Sequence, residues 1–326
     1  MENLKWGIIG CGDVTEIKSG PAFSKVPYSV LHAVMRRDEA KAREYAIRHK
    51  VPRYYSNAAD LINDPAVNAI YIATPPDSHE EYALAALQSG KPVYIEKPIA
   101  LNQHSATNIM AFAEARPVKL VVAQYRNAQP YFNTIKDLLD DGAIGTVMTV
   151  RLDYGSKAIT AADLADPRTA WRLNPTKSGG GLFHDLAPHA LGLLLYYFGE
   201  VEAAVGFSEN HGRVSEADDT VTGAVRFKNK VHFTGSWCFN APPGTETDCC
   251  EILGTKGKLR FTIFSRQQII LSVDGEVKSI DFEALQHVQQ PMIQEVVNYF
   301  RGTRDNPCPP QQGYDVMKIM DAFTTK

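Results

Sequence analysis

The stretch WGIIGCGDVTEIKSGPAF, Trp6 to Phe23, joins a short apolar run to a pattern that can begin a helix. Gly10 and Gly12 stand where the run ends, and Thr15 stands where a third glycine would complete GxGxxG. Because glycine has no Cβ, such a turn lets backbone N–H groups approach a pyrophosphate at the N-terminus of the following helix. The stretch predicts either a dinucleotide-binding turn or a purely structural βα turn, with Thr15 serving helix–strand packing.

The composition fits a protein of two domains that binds a small solute. At 326 residues the chain is long enough for two substantial cores. Its 34 basic and 37 acidic side chains give a formal net charge of -3 without a Lys/Arg block, unlike the electrostatic footprint of a nucleic-acid-binding protein. The five cysteines are odd in number and never spaced as CxxC, so we expect reduced thiols and no metal site.

The apolar segments predict neither a membrane span nor a secretory signal. The run LGLLLYYFG at 191–199 is much shorter than the ~20 residues that cross a bilayer, so it predicts a core helix. The first residues, MENLKWGIIG, lack a basic region followed by a long apolar segment and a cleavage site. We therefore expect a cytoplasmic protein without membrane or nucleic-acid partners.

The first 123 residues alternate short β-branched runs with amphipathic helical patterns. Asp38 can cap the helix DEAKAREYAIRHK, while Ser78 and Gly90 bracket the helix SHEEYALAALQSG as cap and stop. Strands that alternate with helices imply right-handed crossovers and a doubly wound parallel sheet. We assign residues 1–123 to one α/β domain, whose predicted strands are WGIIG, VLHAVM, AIYIA, PVYIE and KLVVA.

Residues 124–326 are predicted to form a second α/β domain, in which most strands are antiparallel. Segments such as DTVTGAVRF and KVHFTGSWCF alternate as strands do, and hairpin turns are predicted at Lys228-Asn229 and Asp274-Gly275. Helical patterns at 290–300 and in YDVMKIMDAF close the chain. These last helices could pack back on the first domain.

The residues at the end of the second strand would determine whether NAD or NADP binds. Met35 ends VLHAVM, and Arg36, Arg37 and Asp38 follow it, about twenty residues after the glycine turn. An acidic residue at this position binds the ribose 2′-OH of NAD, whereas Arg suits the 2′-phosphate of NADP. We favour NADP because Asp38 is well placed as a helix cap. In the alternative, both arginines are surface charges and Asp38 holds NAD.

Lys97 in the segment YIEKP is a candidate catalytic residue. It follows the strand PVYIE, and residues just beyond the carboxyl ends of parallel strands face the ligand crevice. Lys97 is therefore expected where a nicotinamide ring would lie. The alternative is an ordinary surface lysine.

The segment KSGGGLFHDLAPHALGLLLYYFG supplies a second candidate group. Asp185 stands four residues before His189, and Pro188 suits a first helical turn, which makes Asp185 a candidate N-cap. A carboxylate that orients an imidazole suits general acid–base catalysis. An isolated DxxxH is more often a helix cap followed by a buried core histidine.

Taken together, GCGDV, TPPDSH (74–79), EKP and GGGLFHDLAPH resemble the glucose–fructose oxidoreductase/inositol dehydrogenase/MocA-like family over nearly the whole chain. The resemblance implies an N-terminal Rossmann domain and a C-terminal α/β domain with a large open sheet. In the family this sheet often forms the oligomer contact, so a homodimer or homotetramer is implied. The implied reaction is reversible hydride transfer between a nicotinamide cofactor and a carbinol carbon of a sugar, polyol or similar molecule.

The resemblance also implies roles for individual residues. Lys97 would bind and polarise the substrate oxygen, His189 would exchange the hydroxyl proton, and Asp185 would orient the substrate or His189. Many relatives extend the motif to DxxxHxxD, but Gly192 stands at the last position here. The expected cofactor-binding residues are Gly10, Cys11, Gly12, Asp13, Val14, Arg36, Arg37, Thr74, Pro75, His79, Glu96 and Lys97. The expected substrate-binding residues are Tyr125, Arg126, Trp171, Arg172, His184, Asp185 and His189.

Two other functions use the same fold. One is a regulatory protein that senses a dinucleotide or sugar without chemistry, although such a sensor does not need Lys97, Asp185 and His189 together. The other is a glycosidase that uses tightly held NAD for transient oxidation. For Tyr125-Arg126 and Trp171-Arg172, ordinary packing and surface charge remain the alternative to substrate binding.

Overall fold

The computed structural model describes residues 3–325, and the chain divides into two compact units. Unit 1 consists of Met1–Gln129 and Leu285–Tyr314. Unit 2 consists of Pro130–Ala284 and Asp315–Lys326. The segment from Leu285 to Tyr314 therefore belongs to the same unit as the N-terminal residues.

Unit 1 is built on a six-stranded parallel sheet with strand order β3-β2-β1-β4-β5-β6. This order, with its reversal between β1 and β4, is that of a doubly wound fold and confirms the predicted parallel sheet. All five predicted strands are present, and the short third strand is additional because its sequence, RYY, has no apolar run. The strands are β1 Leu4–Ile9, β2 Ser29–Met35, β3 Arg53–Tyr55, β4 Ala69–Ile72, β5 Val93–Ile95 and β6 Leu120–Val122.

The helices of unit 1 confirm one predicted cap and correct another. Asp38 accepts the Lys41 N–H over 3.1 Å and caps the second helix as expected. Ser78 precedes the fourth helix but does not cap it, because its hydroxyl donates to Thr74 Oγ1 over 2.8 Å and to the Pro75 carbonyl. The first five helices are α1 Asp13–Ile17, α2 Glu39–His49, α3 Ala58–Asn63, α4 His79–Gln88 and α5 Gln103–Glu114.

Unit 2 is built on an eight-stranded sheet with strand order β14-β13-β12-β11-β7-β10-β9-β8. Every pair is antiparallel except β7 and β10, which confirms the mostly antiparallel second sheet. Asp274 and Gly275, with φ of 52° and 82°, form the predicted second hairpin turn. The strands are β7 Val147–Lys157, β8 Val201–Glu209, β9 Thr220–Phe227, β10 His232–Ala241, β11 Thr247–Gly254, β12 Gly257–Phe261, β13 Gln268–Val273 and β14 Glu276–Asp281.

The central helix of unit 2 begins earlier than the sequence predicts. Its first residue is Gly181, so Asp185 and Pro188 lie inside the helix and Asp185 is not its N-cap. Gly181 has φ +74°, and a Cβ on it would lie 2.3 Å from the Cβ of Ala217, so this close approach requires glycine. The helices of this region are α6 Pro130–Asp140, α7 Ala161–Ala165, α8 Pro167–Leu173, α9 Pro175–Ser178 and α10 Gly181–Phe198.

Two helices close the chain, α11 Gln290–Phe300 and α12 Pro310–Thr324. In unit 1, the Phe300 ring of α11 stacks on Trp6 with ring centroids 5.6 Å apart. In unit 2, Phe323 of α12 fills a slot between two paired glycines, Gly206 of β8 and Gly223 of β9, where any Cβ would collide with it. None of the helices within residues 3–325 has the length and apolar composition that a membrane span requires.

The eight-stranded sheet leaves apolar side chains exposed on one face. Val205 and Phe207 of β8 are 60% and 76% exposed, and they share a face because they are two residues apart in a strand. The opposite face carries the core, which includes Trp237 of β10 in edge contact with Phe183 of α10.

Candidate active site

The strand register of unit 1 brings four loops to one edge of the sheet. Ile9 pairs with Met35 on one side and with Ile72 on the other, and Ile72 pairs with Ile95. The residues that follow these strand ends therefore emerge side by side, at the carboxyl edge where doubly wound folds bind ligands. Four groups of sequence-predicted residues lie here, after β1, β2, β4 and β5.

The two glycines of the turn after β1 differ in whether the fold requires them. Gly10 has φ +92°, and a Cβ on it would lie 2.6 Å from Thr74 Cγ2, so any other residue would be strained at this position. Gly12 has φ -121°, and a Cβ on it would have the Gly10 carbonyl oxygen as its nearest neighbour, 4.0 Å away. The fold alone does not require glycine at this second position.

Open space beside Gly12 borders the N-terminus of α1. Gly12 is the N-cap of α1 and supplies no side-chain acceptor to the first helical N–H groups, which begin at Asp13 and Val14. Such N–H groups bind phosphate oxygens. Thr15 is buried, and its hydroxyl donates to the Gly12 carbonyl over 2.7 Å.

Arg36 follows β2 and lies against the glycine turn. Its Nη1 donates to the Cys11 carbonyl over 3.3 Å, whereas Arg37 is exposed. The side chain of Asp38 is engaged as the cap of α2.

The Cys11 thiol is fully buried, and burial raises its pKa to about 11, so it is not an activated nucleophile.

The loop after β4 contains Thr74 and Pro75, and His79 follows as the first residue of α4. His79 is fully buried, with Nε2 2.8 Å from the Thr74 carbonyl and Nδ1 3.0 Å from the Pro98 carbonyl. Burial lowers the pKa of this imidazole. His79 thus joins the loop after β4 to the loop after β5.

The loop after β5 presents Glu96 and Lys97. Glu96 is 7% exposed, and its carboxylate accepts the Tyr71 hydroxyl over 2.5 Å and the Gln289 amide over 2.6 Å. Its second oxygen accepts the Lys97 backbone N–H over 3.3 Å. The peptide bond between Lys97 and Pro98 is cis. The main chain from which the Lys97 side chain extends is therefore held by a hydrogen bond to Glu96.

Tyr125 and Arg126 follow β6 in a short 3-10 turn, Tyr125–Ala128. Tyr125 is 6% exposed, and the Arg126 guanidinium lies 5.3 Å from the centroid of its ring. The structure thus pairs these two predicted substrate-binding residues within unit 1.

In unit 2, α8 and α10 bring predicted residues together. Arg172 donates from Nε to Asp185 Oδ2 over 3.1 Å, and its guanidinium lies 4.5 Å from the Trp171 ring centroid. His189 is one helical turn after Asp185, so both side chains lie on one face of α10. His184 is buried, and burial lowers the pKa of its imidazole.

His189 packs against residues that the sequence does not single out. The Phe264 ring contacts its imidazole edge-on, with centroids 5.5 Å apart, and also lies 5.1 Å from the Tyr154 ring. Asp248 holds the Phe264 loop by accepting three backbone N–H groups, from Ile263, Phe264 and Ser265, over 2.7 to 2.8 Å. No sequence motif marks Asp248, because its donors are main-chain groups of another segment. Within residues 3–325, no three His, Cys, Asp or Glu side chains are grouped to hold a metal ion.

Comparisons with known proteins match both parts of the chain. Residues 4–124 match the oxidoreductase family with an NAD-binding Rossmann fold, and residues 132–260 match the GFO/IDH/MocA C-terminal domain. Oxidoreductase P35 of Formosa agariphila is 44% identical over 320 residues, covering 98% of both chains. A trans-1,2-dihydrobenzene-1,2-diol dehydrogenase of Xenopus laevis is 27% identical over 305 residues, or 92% of this chain and 85% of that protein.

The fold also matches that of a levoglucosan dehydrogenase solved in complex with NADH and levoglucosan. The TM-score is 0.86 at 22% identity, and the match covers 99% of this chain and 96% of that one. Together with the match to Oxidoreductase P35, the family models identify this chain as a member of the GFO/IDH/MocA family of NAD-binding oxidoreductases.

Proposed function

We propose that this enzyme is an NADP-preferring dehydrogenase or reductase that acts on a CH–OH group of a sugar, polyol or related small molecule. The proposal rests mainly on the strand register, in which Ile9 of β1 pairs with Ile72 of β4 and Ile72 pairs with Ile95 of β5. Because of this register, the glycine turn and Lys97 lie at the same edge of the parallel sheet. A dinucleotide bound at Gly12 extends along this edge in doubly wound folds. Lys97 is the cationic side chain that follows β5 there.

The preference for NADP rests on the loop after β2. Arg36 borders the glycine turn, Arg37 adds a second positive charge, and Asp38 is already bound to the N-terminus of α2. A guanidinium can bind a 2′-phosphate through two parallel hydrogen bonds. The levoglucosan dehydrogenase of similar fold was solved with NADH, so the fold accommodates the other dinucleotide as well.

The proposed chemistry divides among a few side chains. A bound nicotinamide supplies the hydride acceptor or donor. The Lys97 ammonium binds the substrate oxygen and stabilises the negative charge that develops on it. The His189 imidazole exchanges the hydroxyl proton, and the Asp185 carboxylate, held by Arg172, orients the substrate or this imidazole.

The proposed substrate class follows from the chemistry and the relatives. A trans-dihydrodiol and levoglucosan, which appear in the names of two similar proteins, both carry hydroxyl groups on ring carbons. We infer a ring polyol or sugar with a secondary hydroxyl. We also infer a homo-oligomer formed through the open face around Phe207, and a cytoplasmic location, which the five free cysteines support.

A substrate screen tests the proposed function. Sugars, inositols and cyclic diols, together with their carbonyl counterparts, are mixed with NADP(H) or NAD(H), and nicotinamide absorbance is followed. For the substrate found, Lys97→Ala should lower kcat about 10²- to 10⁴-fold while dinucleotide affinity stays within about threefold. Exposed Lys278 of β14 offers the control variant Lys278→Ala, which should match the unmodified enzyme. Unchanged turnover in Lys97→Ala would reject the assigned role.

A further inference from the structure

Gln289 is a buried polar residue that lies more than a hundred positions along the chain from the loop it contacts. It is 1% exposed and stands directly before α11. Its backbone N–H donates to the Lys18 carbonyl at the end of α1 over 3.1 Å. Its side-chain Nε2 donates to Glu96 Oε1 over 2.6 Å, and its Oε1 accepts the Tyr94 hydroxyl over 3.2 Å. Both polar atoms of the side chain are therefore engaged at the Glu96 site.

The Glu96 carboxylate depends on these donors because it is buried. Burying an ionised group is costly unless hydrogen bonds replace its lost hydration. The Tyr71 hydroxyl and the Gln289 amide both bind Oε1, which leaves Oε2 turned to the Lys97 N–H. Burial, followed by the charge of Glu96, raises the pKa values of Tyr71 and Tyr94 well above the ordinary value, so both phenols remain protonated donors.

The orientation of the carboxylate sets the main chain of the following residue. Glu96 is adjacent to Lys97, and its Oε2 accepts the Lys97 N–H while its Oε1 is held by the Tyr71 hydroxyl and the Gln289 amide. Without the Gln289 donor, the Tyr71 hydroxyl would hold Oε1 from one direction, and the carboxylate could rotate toward other donors. The Lys97 backbone N–H would then lose its hydrogen bond to Glu96 Oε2.

We propose that Gln289 is a positioning residue for Lys97, acting through the Glu96 carboxylate. The inference deepens the proposed function, because it rests on the catalytic role given to Lys97. Gln289 lies in the second segment of unit 1, Leu285–Tyr314, whereas Lys97 lies in the first. A part of the chain that is distant in sequence therefore aligns Lys97.

The first test compares Gln289→Leu with Gln286→Leu. Leucine fills a similar volume but donates no hydrogen bond, and Gln286 is an exposed glutamine of the same segment. Gln289→Leu should lower kcat about tenfold to a hundredfold, because small misplacements of catalytic groups have effects of this size. The KM for dinucleotide should stay within about threefold, and Gln286→Leu should match the unmodified enzyme. Equal kcat values in the two variants would overturn the inference.

A second variant, Gln289→Glu, separates positioning from general loss of structure. The new carboxyl group would face Glu96, and two carboxylates this close share one proton. While the proton is present it can replace the amide donor, so activity should be retained at acidic pH and fall as pH rises. Gln289→Leu should be impaired across the same pH range. If both variants show the pH profile of the unmodified enzyme, Gln289 does not act through Glu96.

A measurement without substrate distinguishes failure of this inference from failure of the proposed function. Lysines are labelled by reductive ¹³C-methylation, and the Lys97 resonance is assigned as the signal that disappears in Lys97→Arg. This resonance should shift in Gln289→Leu and stay in place in Gln286→Leu, whether or not any polyol is oxidised. An unmoved Lys97 resonance in a folded Gln289→Leu protein contradicts the inference, whereas a moved resonance in an enzyme that turns over no substrate contradicts only the proposed function.

Discussion

Arg172 of α8 donates through Nε to Asp185 Oδ2 of α10 over 3.1 Å, with side chains that are 23% and 18% exposed. Asp185 lies inside α10 and does not cap it, and its carboxylate is held by a guanidinium that itself packs on Trp171. A hydrogen bond between charged groups contributes about 1.5–3 kcal/mol, and partial exposure places this one toward the low end. The pair is well suited to hold Asp185 in one orientation.

Replacing Arg172 should therefore impair catalysis more than stability. We expect Arg172→Gln to lower kcat/KM about tenfold, since about 1.4 kcal/mol corresponds to a factor of ten. Steady-state kinetics with the best substrate of the screen measures the effect. The control is Arg168→Gln, because Arg168 pairs with Asp166 at the N-terminus of the same helix. Equal losses in the two variants would argue against a specific role for Arg172.

The two glycines of the first turn should respond differently to alanine. Gly12→Ala should leave the free energy of unfolding within about 0.5 kcal/mol, since its φ is ordinary and no atom lies closer than 4.0 Å to the new Cβ. The Cβ would occupy the space proposed for the pyrophosphate, so the Kd for NADPH should rise at least about tenfold. Thermal unfolding and fluorescence titration check the two expectations.

Gly10→Ala is the matched control for that experiment. Its φ of +92° and the contact with Thr74 make alanine strained, so its Tm should fall whether or not a dinucleotide is present. If Gly12→Ala binds NADPH as tightly as the unmodified protein, the turn is a structural bend.

Arg36 should decide the choice of dinucleotide. The unmodified protein should bind NADPH more tightly than NADH, and Arg36→Asp should reverse the order because the carboxylate repels a 2′-phosphate and accepts a 2′-OH. We expect the ratio of the two Kd values to change at least about a hundredfold, because two charge-assisted hydrogen bonds of about 1.5 kcal/mol each would be lost. Isothermal titration measures both. A preference for NADH before mutation would show that Arg36 does not bind the 2′-phosphate.

Asp248 should stabilise unit 2 through the loop that carries Phe264. Asp248→Asn would turn an amide NH₂ toward backbone N–H groups that now donate to a carboxylate, at a cost of about 1–3 kcal/mol in unfolding free energy. Chemical denaturation measures this loss. Asp281→Asn, at an exposed side-chain pair with Arg266, should change stability by less than about 0.5 kcal/mol. An effect of Asp248→Asn no larger than that control would contradict the assignment.

The exposed face of the eight-stranded sheet should control assembly. Phe207 and Val205 are apolar and exposed side by side on β8, an arrangement typical of interaction surfaces. Phe207→Glu should reduce the molar mass measured by static light scattering toward that of a single chain. Ile47→Glu, at a similarly exposed position of α2, should leave the mass unchanged. A monomeric unmodified protein would refute the proposed interface.

Most of the fold could be predicted because its signals are local. The β-branched runs of the parallel sheet, the glycine turn and the Asp38 cap each depend on neighbouring residues, and the structure contains all of them. The predicted Ser78 cap was wrong because the Ser78 hydroxyl donates instead to Thr74 Oγ1 and to the Pro75 carbonyl. The preceding turn brings these two acceptors close to it. The predicted start of α10 was wrong because the helix begins four residues before Asp185, at Gly181, whose backbone N–H donates to the Ser178 hydroxyl over 2.9 Å.

By itself, the amino-acid sequence determined the alternation of strands and helices, the parallel sheet of unit 1, and which side chains follow its strand ends. Only the tertiary structure decided the partners of those side chains and of the residues on α10: Gln289 for Glu96, Arg172 for Asp185, and Phe264 for His189. Secondary structure and turn geometry follow from backbone dihedral preferences and the spacing of apolar residues, which act over a few positions. A hydrogen bond between distant segments forms only after burial has packed them together and removed the competing water.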